Sequence, residues 1–226
     1  MRKFVVDSLI MAGGKGSRLG GIEKGLIELG GITILERELT ALKESDCVSK
    51  IYVAVSQNTP KTLHFARTKK LEVITTLGRG YVEDSREALG RLSLGVTLVL
   101  CSDMPFLTPE IIKRAVSEYY EKGKPALSLA IPKSSVPRSA SIHNNNIEHS
   151  SLQNNSEVLP AGVNIIDGRL VSGDAMIDEA SLVVDEPLGL LNVNTPEELA
   201  LARRHAEAEG TNSKISSSKQ IWMRRS

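Results

Sequence analysis

Between Leu9 and Lys24 the chain reads L-I-M-A-G-G-K-G-S-R-L-G-G-I-E-K, an apolar run that breaks into glycines with cations spaced around them. Gly13, Gly14 and Gly16 let the backbone turn tightly and approach a ligand closely, since no Cβ stands in the way. Lys15, Arg18 and Lys24 add cationic donors to backbone N–H groups that can face an anion together. Glycines alone write many ordinary strand-to-helix turns; glycines with Arg18 and Lys24 point to a polyphosphate. Two familiar phosphate loops are excluded by spacing. A Walker loop needs Lys-Ser or Lys-Thr after its last glycine, whereas Gly20 is followed by Gly21-Ile22, and no triplet here keeps the dinucleotide spacing G-x-G-x-x-G.

Two further clusters carry chemistry. Cys101 to Leu107, C-S-D-M-P-F-L, closes an apolar run. Thr108 and Pro109 supply the cap and first position of the next helix, so Asp103 is not needed as a cap and is free to point over the strand end. A carboxylate there suits Mg²⁺, a hard ion that takes one or two carboxylates beside phosphate oxygens and water. In N-V-N-T-P-E-E-L, from Asn192 to Leu199, a capping box accounts for Thr195 and Glu198. It leaves Asn192 and Asn194 unexplained, and alternation about Val193 turns both to one face. Asn192 is the candidate metal ligand beside Asp103, with Asn194 as the alternative.

Elements that would position these clusters follow in alternation. Val5 to Met11, Ile51 to Val55, Leu71 to Thr75 and Val96 to Cys101 read as buried strands. Ile34, Leu35, Leu39 and Leu42 recur at helical spacing, with Glu36, Arg37, Glu38 and Lys43 as the expected wet face. Residues 84–92 and the segment after Thr108 read as helices. The rhythm predicts an α/β fold with a single doubly wound, mostly parallel sheet and helices on both faces, its ligands at the C-terminal strand ends, where each polar cluster is expected to fall. One nucleotide-binding domain is expected over residues 1–208. Within it 134–158 reads as a mobile polar loop in which His143 and His149 lack partners at metal-ligand spacing. Residues 209–226 read as a disordered polar and basic tail.

Bulk properties narrow the class. A chain of 226 residues with 41% hydrophobic residues can bury one substantial core. A net charge of +1 gives no electrostatic case for nucleic acid or a membrane surface. Cys47 and Cys101 are too few for a disulfide framework, no apolar run is long enough to span a bilayer, and the N-terminus lacks a signal-peptide layout, so the cytoplasm is expected.

The glycine segment resembles the signature G-G-x-G-x-R-x-G-x-x-K of the MobA-like nucleotidyltransferases, with Ser17 where threonine is frequent. S-D-M-P and N-x-N-T-P resemble the same family. The resemblance implies that Ala12, Gly13, Gly14, Lys15, Gly16 and Ser17 wrap an NTP triphosphate, that Arg18 and Lys24 contact its phosphates, and that Asp103 holds Mg²⁺. Three more segments are similar to the archaeal GTP:adenosylcobinamide-phosphate guanylyltransferases: S-Q-N-T-P-K-T from Ser56, G-R-G-Y-V-E-D from Gly78, and P-A-G-V-N-I-I from Pro160. Together these cover about residues 4–205.

This narrower resemblance implies transfer of GMP from GTP to adenosylcobinamide phosphate, giving adenosylcobinamide-GDP and pyrophosphate during coenzyme B12 assembly. It places Asn58, Gly80, Tyr81 and Asp84 on the nucleotide. Asn58 or Asp84 would read the guanine edge or ribose and Tyr81 would stack, although turn formation around a packed tyrosine explains each of them equally. Gly162, Asn164, Asn192 and Asn194 fall on the phosphate and acceptor side. Two alternatives stand beside this reading: a molybdenum cofactor guanylyl- or cytidylyltransferase, and a nucleotide-binding regulatory module without chemistry. The oligomeric state is open, a homodimer included.

Overall fold

The first apolar run forms β1 (Val6–Met11), and its neighbours explain its composition: it lies between two parallel strands, covered on both faces. The computed structural model describes residues 4–135, 151–153, 156–171 and 177–223. Beyond β1 and the glycine loop, a short hairpin of β2 (Glu28–Leu29) and β3 (Ile32–Thr33) leads into α1 (Ile34–Glu44). Then come β4 (Val48–Val55), α2 (Pro60–Thr68), β5 (Glu72–Thr75), α3 (Tyr81–Arg91), β6 (Val96–Cys101) and α4 (Pro109–Lys122). The chain continues through β7 (Ala126–Pro132), β8 (Ser151–Gln153), β9 (Ser156–Asp167), β10 (Glu179–Val183) and α5 (Pro196–Met223).

The main sheet has eight strands in the order β10-β7-β9-β6-β1-β4-β5, with β8 paired to β9. β5, β4, β1 and β6 run parallel, as do β7 and β10. Among the described strands of this sheet only β9 is reversed, antiparallel to β6, β7 and β8. The expected mostly parallel α/β sheet is therefore present, with one correction. Pro160 to Asn164 do not end a strand but lie inside β9, Val163 pairing with Leu100. Because β9 enters from the opposite direction, its first half reaches the sheet edge where the other strands end, and Gly162 still arrives beside the cleft.

Helix boundaries follow local chemistry. Thr33 and Glu36 close a capping box on α1, and the Lys69 ammonium with the Thr33 bonds pulls the Glu36 carboxyl down to about 2. Thr108 Oγ1 accepts the Ile111 N–H at 3.3 Å, Pro109 takes the first turn of α4, and Gly123 ends it in a left-handed conformation. Of the polar stretch 134–158, residues 136–150, with His143 and His149, and 154–155 lie outside the described residues. Ser151–Gln153 pairs with the start of β9, and Val158 pairs with Pro132, so these positions are strand. The helical backbone of α5 runs to Met223, through positions assigned from composition to a disordered tail. Among the described residues no helix is long and apolar enough to cross a membrane.

Glu38 overturns one expectation. It is fully buried rather than on the wet face of α1. The spacing explains why: Ile34, Glu38 and Leu42 stand at i, i+4 and i+8, one stripe of the helix. Its Oε1 accepts the Met104 N–H at 3.0 Å, and its Oε2 has no partner. An unpaired buried oxygen costs about 1–3 kcal/mol. Ile34, Leu35 and Leu42 beside it are fully buried, each contributing ~1.5–3 kcal/mol, so the helix tolerates the exception. Burial, reinforced by the nearby Asp103 carboxylate, pushes the Glu38 carboxyl well above its ordinary 4.5, with Lys24 acting in the other direction.

The folded protein thus holds a proton on Glu38 that the unfolded chain releases near pH 4.5, and stability falls as pH rises from there toward the folded value. Glu38→Gln removes this titration. The Tm gap between the variant and the parent should move in the variant's favour from pH 4.5 to pH 8, followed by circular dichroism; parallel Tm curves would show that Glu38 is not protonated in the fold.

Candidate active site

Three loops that are distant in sequence meet over the ends of β1 and β6. The glycine loop is the first. Gly16 has φ of 59°, and its carbonyl accepts the N–H groups of Leu19 and Gly21 at 2.9 and 3.0 Å. A Cβ on Gly16 would collide with the Ile22 carbonyl, so the tight fold at this point requires glycine. Arg18 and Lys15 stand exposed on the outer wall of the loop, and Lys24 turns inward from a short 3₁₀ turn.

Lys24 is where the loops converge. Its Nζ donates to Asp103 Oδ2 and to Asn194 Oδ1, each at 2.6 Å. Asp103 is 5% exposed, and its other oxygen accepts from Asn192 Nδ2 at 2.9 Å. The backbone is tied as well, since the Val193 N–H donates to the Asp103 carbonyl at 2.8 Å. Val193 is fully buried, and the alternation about it delivers both asparagines to the site, as their spacing requires. The roles of the two differ. Asn192 offers an N–H to the carboxylate, while the oxygen facing the cation position belongs to Asn194. The Glu198 carboxylate accepts from the Asn194 and Thr195 N–H groups at 2.7 and 2.9 Å and so fixes the Asn194 backbone, a contribution beyond the capping box.

Two open hollows, of about 310 and 280 Å³, share Gly14, Lys15 and Lys24 in their walls. The smaller is basic, formed by the glycine loop with Arg18 and Asn194. The larger runs from Asp103 toward Asn58, Gly80 and Tyr81. A continuous cleft of this kind offers cations at one end, a carboxylate at its centre and, at the other end, a polar compartment lined by Asn58, Arg79, Tyr81 and Asp84.

This polar compartment is built by interlocked turns. Ser56 Oγ donates to the Gly13 carbonyl at 2.7 Å and accepts from the Asn58 N–H and Nδ2, both at 3.1 Å. Asp84 lines the cleft, yet its carboxylate is spent on the loop before α3, accepting the Gly78, Arg79 and Gly80 N–H groups at 3.0, 3.2 and 3.5 Å. Tyr81 Oη accepts from Asn164 Nδ2 at 2.9 Å, and Asn164 Oδ1 accepts from Ser128 Oγ at 2.8 Å. Burial pushes the Tyr81 hydroxyl well above its ordinary value, so it stays protonated. Asn164, assigned from the sequence to the acceptor side, touches the cleft through Tyr81. Gly162 sits at φ 76° with its Cα hydrogen toward Asn192; a Cβ there would stand 3.2 Å from Asn192 Nδ2.

The geometry therefore brings Lys24, Asp103, Asn192 and Asn194 into one contact network, with the glycine loop, Asn58, Gly80 and Tyr81 around the same cleft. Sequence reasoning missed Glu38, Glu198 and Ser56 as the groups that hold this network. Glu198 was legible as a cap and Glu38 through its helical stripe. For Ser56 the only signal was its place in the motif. Among the described residues no group of three or more His, Cys, Asp and Glu side chains is arranged around a metal position.

Comparison with known proteins agrees with this arrangement. The MobA-like NTP transferase domain matches residues 8–210. The adenosylcobinamide-phosphate guanylyltransferase of Methanocaldococcus jannaschii is 35% identical over 91% of this chain and 100% of its own length. The molybdenum cofactor guanylyltransferase of Shewanella sp. strain ANA-3 is 25% identical over 85% of this chain and 92% of its own. In the solved structures, molybdopterin-guanine dinucleotide biosynthesis protein A of Archaeoglobus fulgidus shares the fold, with a TM-score of 0.62 at 18% identity over 89% of this chain and 99% of that one. A glycine loop that ends in a cation-carboxylate-amide network over the ends of β1 and β6, matched to the family along nearly the whole chain, makes this protein a nucleotidyltransferase that belongs to the MobA-like NTP transferase family.

Proposed function

We propose that the protein transfers GMP from GTP to adenosylcobinamide phosphate, giving adenosylcobinamide-GDP and pyrophosphate. The observation that carries this reading is the full-length similarity to the Methanocaldococcus jannaschii guanylyltransferase; in the structure S-Q-N-T-P-K-T and G-R-G-Y-V-E-D supply walls of one cleft, and P-A-G-V-N stands behind it, Asn164 bonded to Tyr81 and Gly162 packed near Asn192.

The chemistry needs little from the side chains beyond charge and position. The acceptor is a phosphate monoester with a second pKa of about 6, already a dianion at pH 7, so no general base has to take a proton. One of its oxygens attacks the α-phosphorus of GTP as the bond to the β-phosphate oxygen breaks, and pyrophosphate leaves with that electron pair. Two anions must be held in line, and charge growing on the α-phosphate and the leaving group must be met by fixed cations. Lys15, Arg18 and Lys24 line the basic hollow and fill this role, with the loop N–H groups around Gly14 beside them. At the other end, Asn58 donates to Ser56 through Nδ2, which leaves its Oδ1 as an acceptor for a guanine edge, and the Tyr81 ring forms part of the wall.

The donor set also fits a divalent cation. Two hard oxygens, Asp103 Oδ2 and Asn194 Oδ1, already converge on one positive charge, the Lys24 ammonium. Asp103 and Asn194 would hold Mg²⁺, with Asn192 orienting the carboxylate, and the ion would add positive charge against the triphosphate oxygens. Lys24 would then be released toward the phosphates.

The direct test is label transfer from α-³²P-GTP with Mg²⁺, with and without adenosylcobinamide phosphate. Label in a corrinoid product with matching pyrophosphate release is the expected outcome. GTP binding without transfer, together with transfer to a molybdopterin acceptor, would replace this reading by the molybdenum cofactor one. Asp103→Asn, which keeps the shape of the side chain, should reduce turnover at least 10³-fold, the order expected when a central electrostatic group is lost, while GTP binding falls far less; unchanged turnover would remove Asp103 from the chemistry. Lys24→Ala should cost on the order of 10²–10³ in rate, and a loss below about threefold would refute its contact with the phosphates.

A further inference from the structure

A loop as rich in glycine as residues 13–25 has many conformations open to it, and a lysine at its end is useful in transfer chemistry only if those conformations are few. The backbone bonds of the loop are local, made around Gly16. The bonds that fix its two ends come from elsewhere. At the near end Ser56 Oγ donates to the Gly13 carbonyl. At the far end the side chain of Glu23, the residue before Lys24, crosses to the start of α2. Its Oε1 accepts the Lys61 N–H at 3.0 Å, and its Oε2 accepts both the N–H and the Oγ1 hydrogen of Thr62, each at 2.6 Å. Thr62 is buried, and α2 receives no side-chain cap from its own Thr59. Its first turn is thus capped in trans by Glu23, where the helix dipole and the free N–H groups favour a carboxylate.

We propose that Glu23 and Thr62 form a positioning clamp that sets the Lys24 ammonium for the transferred phosphate. In this assignment S-Q-N-T-P-K-T is first a scaffold for the glycine loop. Ser56 holds the entry at Gly13 and Thr62 holds the exit at Glu23, so both ends of the cation-bearing loop are referenced to the turn that carries Asn58. The proposal rests on the reading that Lys24 meets the nucleotide phosphates. Glu23 touches no substrate in it and acts through Lys24.

The test uses the full chain with Glu23→Ala, Thr62→Val, the double variant and Lys24→Ala, measuring GTP affinity by calorimetry in Mg²⁺, turnover by label transfer, and Tm. Glu23→Ala should lower kcat by on the order of 10- to 100-fold, the scale of a misplaced catalytic group, with a smaller change in GTP affinity. Thr62→Val should cost about 3- to 10-fold, and the double variant should be within about twofold of Glu23→Ala, because partners in one contact are not additive. Glu23→Gln, which keeps one acceptor oxygen, should recover part of the loss. A purely structural role is excluded by Asp167→Ala. That carboxylate caps a turn and pairs with Arg169 at the far end of β6, so its loss should lower Tm and leave kcat unchanged. Turnover and affinity of Glu23→Ala within about twofold of the parent, while Lys24→Ala is crippled, would overturn the clamp alone, as would additive losses in the double variant. If Lys24→Ala is itself unaffected, the phosphate role of Lys24 falls first and the clamp falls with it. Should Glu23→Ala fail to fold, Thr62→Val still decides, since a loss within twofold at a near-isosteric site contradicts the proposal.

Discussion

The site hangs on a single ammonium. Lys24 lies 79 residues from Asp103 and 170 from Asn194, and its Nζ is within 2.6 Å of an oxygen on each. No local interaction can set such a meeting. It requires β1 and β6 to be neighbours, so that the loops after them emerge side by side, and it requires the segment before α5 to return across the same edge. The contact is therefore a sensitive readout of the whole sheet order. A protein whose strands were permuted would keep the motifs and lose the site.

Around that point the fold places charge and neutrality in sequence. Arg18 and Lys15 remain outside, where water screens them until an anion arrives. Asp103 is buried, and its negative charge is met by Lys24 and by the Asn192 amide. Behind it, Glu38 accepts the Met104 N–H, and burial raises its carboxyl well above the ordinary carboxylate range, which disfavours a second negative charge in the same low-dielectric region. The two acids differ in their surroundings: Asp103 faces the Lys24 ammonium and the Asn192 amide, whereas Glu38 is enclosed among apolar side chains with the Met104 N–H as its hydrogen-bond donor.

What could be read in advance follows a physical rule. Continuous apolar runs such as Val96 to Cys101 announce buried strands, and Thr108-Pro109 and Thr195…Glu198 announce helix starts, because each signal lies within a few residues. The glycine loop, Asp103 and the alternation of Asn192 and Asn194 were visible for the same reason. Strand direction leaves no such local trace, and β9 was reversed without any change in its alternating pattern. Glu38 was hidden by its charge although Ile34 and Leu42 marked its stripe. Glu23 was hidden because its partners begin 38 residues downstream and its own neighbours, Lys24 above all, draw the attention of any motif search.

These missed residues share a function. Glycines and exposed cations make a loop that can reach a ligand, and the same features leave it conformationally free. Catalysis by positioned charge needs the opposite property, since a donor that must be ordered during the reaction contributes less to lowering the barrier. The chain resolves this by separating the two tasks between segments. The glycine loop supplies reach, while groups on the following secondary structure supply order: Ser56 and Thr62 around α2, Glu38 on α1 and Glu198 on α5. Each ordering group uses a hydrogen bond to backbone or to an adjacent carboxylate rather than to the ligand, so the cleft can exchange substrate and product without dismantling its own frame. In the proposed reaction the signature residues are the ones that meet the nucleotide, and the residues that hold the signature in place lie one contact behind them.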